Sequence, residues 1–190
     1  MKIVISGLSG CGATTVSRLV SEKLKLKNVN YTFRNLAVDS GLDFKYVQEN
    51  ALVNGFDFEL DSKLLKLAKG DFVLASRLAC WLSDYNLSVW LEAGVETRAR
   101  RIAAREKKSF NIILKETIKR DNQNVERYKK IYGLNILDHS FVDLTINVER
   151  ITAWQAAEII ANSCGKLKLV KNNFSHKIEV KLKKNSRGSV

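Results

Sequence analysis

Gly7-Leu-Ser-Gly-Cys-Gly-Ala-Thr-Thr15 decides how this chain is read. It follows the apolar stretch Lys2-Ile-Val-Ile-Ser6 and precedes residues 13–25, where Val16, Leu19, Val20 and Leu24 recur at helical spacing. A glycine-rich turn between a buried strand and a helix gathers anions, because main-chain N–H groups and the positive helix end converge on one point. Gly7, Gly10 and Gly12 let the backbone approach phosphate oxygens without Cβ collisions. From Gly7 to Thr14 the spacing is that of the pattern G-x-x-x-x-G-K-S/T. It assigns Gly7, Leu8, Ser9, Gly10, Cys11, Gly12, Ala13, Thr14 and Thr15 to the phosphates of a nucleotide such as ATP. Thr14 stands where the hydroxyl ligates Mg²⁺. The lysine position holds Ala13, which removes a charge-assisted contact worth about 1.5–3 kcal/mol. Arginines from elsewhere must then neutralise a transferring phosphoryl group.

Outward from the loop, short apolar runs alternate with helical periodicity. Residues 71–75, 88–91 and 142–147 read as further strands, and helices are expected near 33–52, 58–69, 76–84, 95–107, 109–131 and 153–163. Thr152 with Gln155 three residues later forms a capping-box pattern that opens the last helix. Strand-helix alternation predicts an α/β domain with a mainly parallel sheet. Trp81, Trp90 and Trp154 are expected in the core, as are Tyr128 and Tyr132; His139 and His176 are expected at the surface.

With 190 residues and 45% apolar content, the chain can bury a core, which excludes a disordered or fibrous molecule. No apolar run approaches the roughly 18 residues of a membrane span, and the N-terminal run is too short for a signal-peptide core. Cys11, Cys80 and Cys164 are odd in number and form no C-x-x-C pair, which argues against a disulfide framework or zinc site and fits a cytoplasmic location. The formal charge of +12 favours anionic partners. Residues 166–190 carry seven Lys and one Arg against Glu179, so +7 of that charge lies in the last 25 residues. Gly165 marks a candidate boundary between a 1–165 domain and a basic 166–190 extension. The alternation from Lys177 to Lys183 suits an edge strand or hairpin, and a solvated tail suits the composition equally.

Several further segments, in order, resemble the nucleoside monophosphate kinases, and most closely the archaeal-type cytidylate kinases. They are FRNLA at 33–37, ELDSK at 59–63, VLASRLACWL at 73–82, VWLEAGVETRARRIAARE at 89–106, ETIKRDNQNVERYKKIYG at 116–133 and VDLTIN at 142–147. The resemblance implies a P-loop NTPase fold, with a mainly parallel five-stranded sheet flanked by helices and with NMP-binding and lid helices. It implies transfer of the ATP γ-phosphate to CMP or dCMP. By the same resemblance Arg34, Arg77, Arg120, Asn124 and Arg127 belong to the acceptor nucleotide, and Arg98, Arg101 and Arg105 clamp the ATP phosphates. The chain departs from the family at Asn124, where an acid is usual, at Asn28–Tyr31 in place of Ser-x-Gly-Asp, and at Ala75-Ser76 before Arg77.

The residues alone support part of this. Arg98, Arg101 and Arg105 fall on one helical face, as do Arg120, Asn124 and Arg127, and arginine matches phosphate oxygens bidentately. A monophosphate arrives with its nucleophilic oxygen already ionised, so no general base is required. Asp57, Glu59 and Asp61 form an acidic cluster that suits a contact to ribose, base or Mg²⁺ as well as it suits a solvated helix start; Asp61 is assigned to the acceptor. The expected molecule is a monomer that binds ATP, Mg²⁺ and CMP or dCMP. Two other readings stand beside it: an adenylate-type kinase, and a nucleotide-binding RNA- or ribosome-associated factor with little turnover that contacts RNA through its basic tail.

Overall fold

Five short strands lie side by side in one parallel sheet. In the computed structural model, which describes residues 1–51, 53–165 and 167–172, they are β1 (Lys2–Gly7), β2 (Lys27–Val29), β3 (Phe72–Ala75), β4 (Leu87–Glu92) and β5 (Leu144–Asn147). Their order is β2-β3-β1-β4-β5, every neighbour parallel. Among the described residues the connecting helices are α1 (Ala13–Leu24), α2 (Phe33–Ser40), α3 (Phe44–Glu49), α4 (Phe56–Leu67), α5 (Ala79–Leu82), α6 (Val95–Glu106), α7 (Phe110–Tyr132) and α8 (Ala153–Asn162).

Strand alternation divides the core into two layers. Ile3, Ile5, Val73, Val89 and Leu91 point to the face covered by α1 and α8, where they meet Val16, Val20, Ala156 and Ile160. Val4, Phe72, Leu74 and Trp90 point the other way, against Leu36, Leu64, Trp81 and Tyr128. Because both faces are covered, the strands read as near-continuous apolar runs. α6 and α7 carry a small core of their own, built from Ala99, Ile102, Ala103 and Ile113. The strand order reverses beside β1, where β3 and β4 leave on opposite sides, and α/β sheets of this type bind ligands beyond the carboxyl ends at that point.

Several expectations are refined. β2 is three residues long with only Val29 buried, too short to show a period in the sequence. The helix expected over 33–52 is two helices: Gly41, at φ 66°, ends α2, and the Asp43 carboxylate caps α3 by accepting from the Tyr46 N–H. Helix 76–84 contracts to α5. The Thr152–Gln155 capping box forms as expected. Trp154 is 62% exposed beneath the Lys23 ammonium, whereas Trp81 and Trp90 are buried. His139 is half-buried and stacks on Trp90, with ring centroids 4.6 Å apart.

Past Gly165 the chain turns back onto the domain. Val170 forms an antiparallel bridge with Tyr85, and the Asn172 side-chain amide donates to the Cys80 carbonyl at 2.7 Å. The alternating segment 177–183 lies outside the described residues. Among those described, no helix is long and apolar enough to cross a membrane.

Candidate active site beyond the carboxyl ends of the sheet

The loop between β1 and α1 forms as its glycines require. Gly12 sits at φ 92° and caps α1 without any side-chain acceptor, so the first amides of the helix keep their N–H groups free for an anion. A Cβ on Gly12 would meet nothing within 4 Å, which marks open space above the loop. Gly10, also at φ 92°, serves a different purpose: a Cβ there would come within 2.8 Å of Arg98 Cβ and of its carbonyl oxygen. Cys11 packs beneath the loop, where burial pushes its thiol up to about 11, so it is an inert filler at neutral pH. The hydroxyl of Thr14 is exposed at the mouth and has no hydrogen-bond partner among the described residues.

A cavity of about 910 Å³ opens over this loop. Gly7 through Thr15 line it, together with Arg34, Asp61, Arg77, Arg101, Arg105, Glu106, Arg120 and Tyr128. Five guanidinium groups from α2, α6, α7 and the β3–α5 turn therefore share one chamber with the amide-lined loop. They supply the positive charge that Ala13 does not.

Three of the expected site residues stand behind this wall. Arg98 was expected to clamp phosphates with Arg101 and Arg105, but it is 4% exposed and does not line the cavity. Its Nε–H donates to the Ala93 carbonyl at 3.0 Å, one Nη donates to the Ser9 carbonyl at 3.2 Å, and the same Nη lies 2.8 Å from the Asp121 carboxylate. Arg98 thus holds the loop from below against α6 and α7. Packing of α6 against the loop and α7 turns Arg98 inward, while Arg101 and Arg105 reach the cavity. Arg101 is steadied by donating to the Val148 carbonyl at 2.5 Å.

Arg127 and Asn124 are the other two. Arg127 lies 2.9 Å from Asp57 in a buried ion pair and donates to Asn124 Oδ1 at 2.9 Å. Asn124 is 1% exposed, also accepts from Arg77 at 3.4 Å, and leaves its Nδ2 without a hydrogen-bond partner among the described residues. Both act on the cavity through Arg77 and Tyr128, whose hydroxyl accepts from Arg77 at 3.3 Å. The acidic cluster divides by helical position: Asp57 and Asp61, one turn apart on α4, are buried, and Glu59 between them is exposed. Tyr132 donates to Asp61 at 2.7 Å. Burial, reinforced by the nearby Asp57 charge and opposed by the Tyr132 hydrogen bond, pushes the Asp61 carboxyl up to about 7.

Two residues that the sequence did not single out also shape the site. Glu106, the last residue of α6, accepts from Arg34 at 2.8 Å and from Arg105 at 3.0 Å. Phe44 presents its ring 4.2 Å from the Arg34 guanidinium. The partners of Arg34 come from α3, the next helix, and from α6, far along the chain, and no helical spacing announces either contact.

A family model described as an AAA domain matches residues 3–129. Cytidylate kinase 2 of Borreliella burgdorferi is 38% identical over 180 residues, covering 91% of this chain and all of the relative. Cytidylate kinase of Methanococcus aeolicus is 40% identical, covering 77% of this chain and 88% of the relative. That of Methanocaldococcus jannaschii is 33% identical, covering 88% and 99%. Among solved structures, the fold is shared with a shikimate kinase from Acinetobacter baumannii, at TM-score 0.58 and 18% identity over 85% of this chain and 91% of that one. It is also shared with a deoxyadenosine kinase from M. mycoides, at TM-score 0.57 and 17% identity over 86% and 98%. With relatives aligned across nearly its whole described length, and with the phosphate loop and arginine-lined chamber in place, the chain belongs to the cytidylate kinase family.

Proposed function

We propose that the protein transfers the γ-phosphoryl group of ATP to CMP or dCMP, yielding ADP and the nucleoside diphosphate. One observation carries this: amides of the Gly7–Thr15 loop and the arginines of three separate helices converge on a single cavity large enough for two nucleotides. The ATP triphosphate lies along the loop, its β- and γ-phosphates at the amides of Gly12 to Thr15. Arg101 and Arg105 reach over it from α6. The acceptor lies opposite, its phosphate gripped by Arg34, Arg77 and Arg120 and its base turned toward Asp61 and Tyr128.

In the transfer, an acceptor phosphate oxygen forms a bond to the γ-phosphorus as the bond from that phosphorus to the β,γ-bridging oxygen breaks. ADP leaves with the electron pair. The chain's work is positioning and charge neutralisation, since charge spreads over the equatorial oxygens of a loose transition state. Arg101 and Arg105 meet that charge where a loop lysine would otherwise stand. The Thr14 hydroxyl, exposed at the start of α1 and without a hydrogen-bond partner among the described residues, would hold Mg²⁺. An ion held there would supply neutralisation of the phosphate charge during transfer.

The test is ADP release in the presence of CMP, dCMP, UMP or AMP in turn. Stimulation by CMP and dCMP well above the other two is expected. Preference for AMP would assign an adenylate-type kinase, and stimulation by none would end the proposal.

A further inference from the structure

Glu106 occupies a place that the phosphoryl-transfer reading leaves unexplained. Its carboxylate sits where the far end of α6 meets the start of α2, and among the described residues lining the cavity it is an acid placed between arginines. It accepts from Arg34 at 2.8 Å and Arg105 at 3.0 Å, with the Lys108 ammonium 3.9 Å away. The side chain is 16% exposed, and it lines both the main cavity and an adjoining groove of about 870 Å³ between α2–α3 and α6–α7. Arg34 is held on a second side by the Phe44 ring. Its guanidinium is therefore placed before any ligand arrives, with one Nη already donating to an oxyanion. Although burial works against it, the hydrogen bond and charge of Arg105, with the charges of Arg34 and Lys108, hold the Glu106 carboxyl below the usual glutamate range.

A carboxylate paired with two guanidiniums in a phosphate-binding chamber imitates the ligand of those guanidiniums. We propose that Glu106 is a positioning residue that stands in for the acceptor's phosphate, holding Arg34 and Arg105 across the mouth of the cavity and releasing Arg34 when that phosphate enters. The device keeps clustered cations from splaying apart by mutual repulsion. It also makes any incoming phosphate compete with an internal anion, so that a ligand with further contacts displaces it more readily than lone inorganic phosphate does. This rests on the acceptor site proposed above.

An internal competitor lowers apparent affinity by the fraction of molecules in which the site is free. A partly exposed ion pair of this kind is populated a few-fold over its open form. Releasing Arg34 should thus tighten anion binding about two- to fivefold. The experiment is calorimetric titration of the full chain with inorganic phosphate and, separately, with CMP, in wild type, Glu106→Gln, Arg34→Gln and the double variant. Thermal unfolding verifies that each variant folds.

Glu106→Gln is expected to tighten both ligands by that factor, and the gain is expected to vanish when Arg34 is already Gln. Glu106→Asp keeps the charge but shortens the reach by one methylene, and should move the affinities in the same direction by less. Unchanged or weaker phosphate binding in Glu106→Gln, or a gain that persists without Arg34, overturns the proposal. Because the phosphate titration needs no turnover, a gain there without CMP binding would leave the stand-in intact and remove the CMP reading alone.

Discussion

Replacing Arg98 by methionine separates a scaffold arginine from a catalytic one. Methionine fills a similar volume, so the packing among Ala99, Ile102 and the loop is largely kept. What is lost is polar. Asp121, whose side chain is 14% exposed, loses the guanidinium at 2.8 Å, and the carbonyls of Ser9 and Ala93 lose their donors. Removing one member of a buried ion pair costs about 3–5 kcal/mol, because the remaining charge has no partner. The two carbonyls add roughly 1 kcal/mol each at most. Urea unfolding followed by tryptophan fluorescence should therefore show a loss of about 3–7 kcal/mol for Arg98→Met. Most of it should return in Arg98→Met/Asp121→Leu, where no charge is left buried. ATP affinity should fall in the single variant because the Ser9 turn is no longer anchored. If Arg98 instead clamped phosphate, the variant would unfold within about 1 kcal/mol of wild type while turnover collapsed. That result would refute the placement of Arg98 behind the loop.

Gly12 and Gly10 should respond differently to the same added methyl group. Both pay about 1–2 kcal/mol for an alanine at φ 92°. Gly12→Ala meets nothing further, so it should fold nearly normally yet bind ATP at least tenfold more weakly, whereas Gly10→Ala, pressed against Arg98, should lose a further 1–3 kcal/mol of stability. Equal unfolding midpoints for the two variants would contradict this. Arg105, whose side chain is 61% exposed, should tolerate Met within about 0.5 kcal/mol of stability while kcat/KM for the acceptor falls. A large unfolding shift with unchanged kinetics would exclude it from the site. Asp61 gives a pH signature. Folded, it keeps its proton to about 7; unfolded, it loses it in the ordinary aspartate range. The folded state binds more protons between those limits, so stability falls as pH rises through the window, by up to about 1.4 kcal/mol per pH unit. Asp61→Asn should flatten that decline, and an unaltered slope would show that Asp61 titrates normally.

Much of this architecture is legible in the residues themselves. The loop can be read because its chemistry is local: a strand, three glycines and a helix start specify one another at fixed spacing, and each backbone angle follows. Alternating apolar runs disclose four of the five strands for the same reason. β2 escapes, being an edge strand with only Val29 buried. The arginines on α6 are recognisable as a set but not as individuals. Periodicity places Arg98, Arg101 and Arg105 on one side of a helix, and only the packing of α6 against Ser9 and Asp121 decides that Arg98 faces inward. Arg120 and Arg127 divide similarly, one lining the cavity and the other buried on Asp57. Glu106 and Phe44 were invisible because their partner, Arg34, is brought to them by tertiary structure alone.

The proposed transfer requires one chamber to hold ATP along the loop and a cytidine nucleotide on the facing arginines at the same time. It is tested most directly by calorimetric titration with adenosine and cytidine joined through a five-phosphate chain. Linking the two ligands makes the second contact intramolecular, so binding about a hundredfold or more tighter than that of ATP is expected. Binding no tighter than that of ATP, with CMP still able to bind beside it, would contradict a shared chamber.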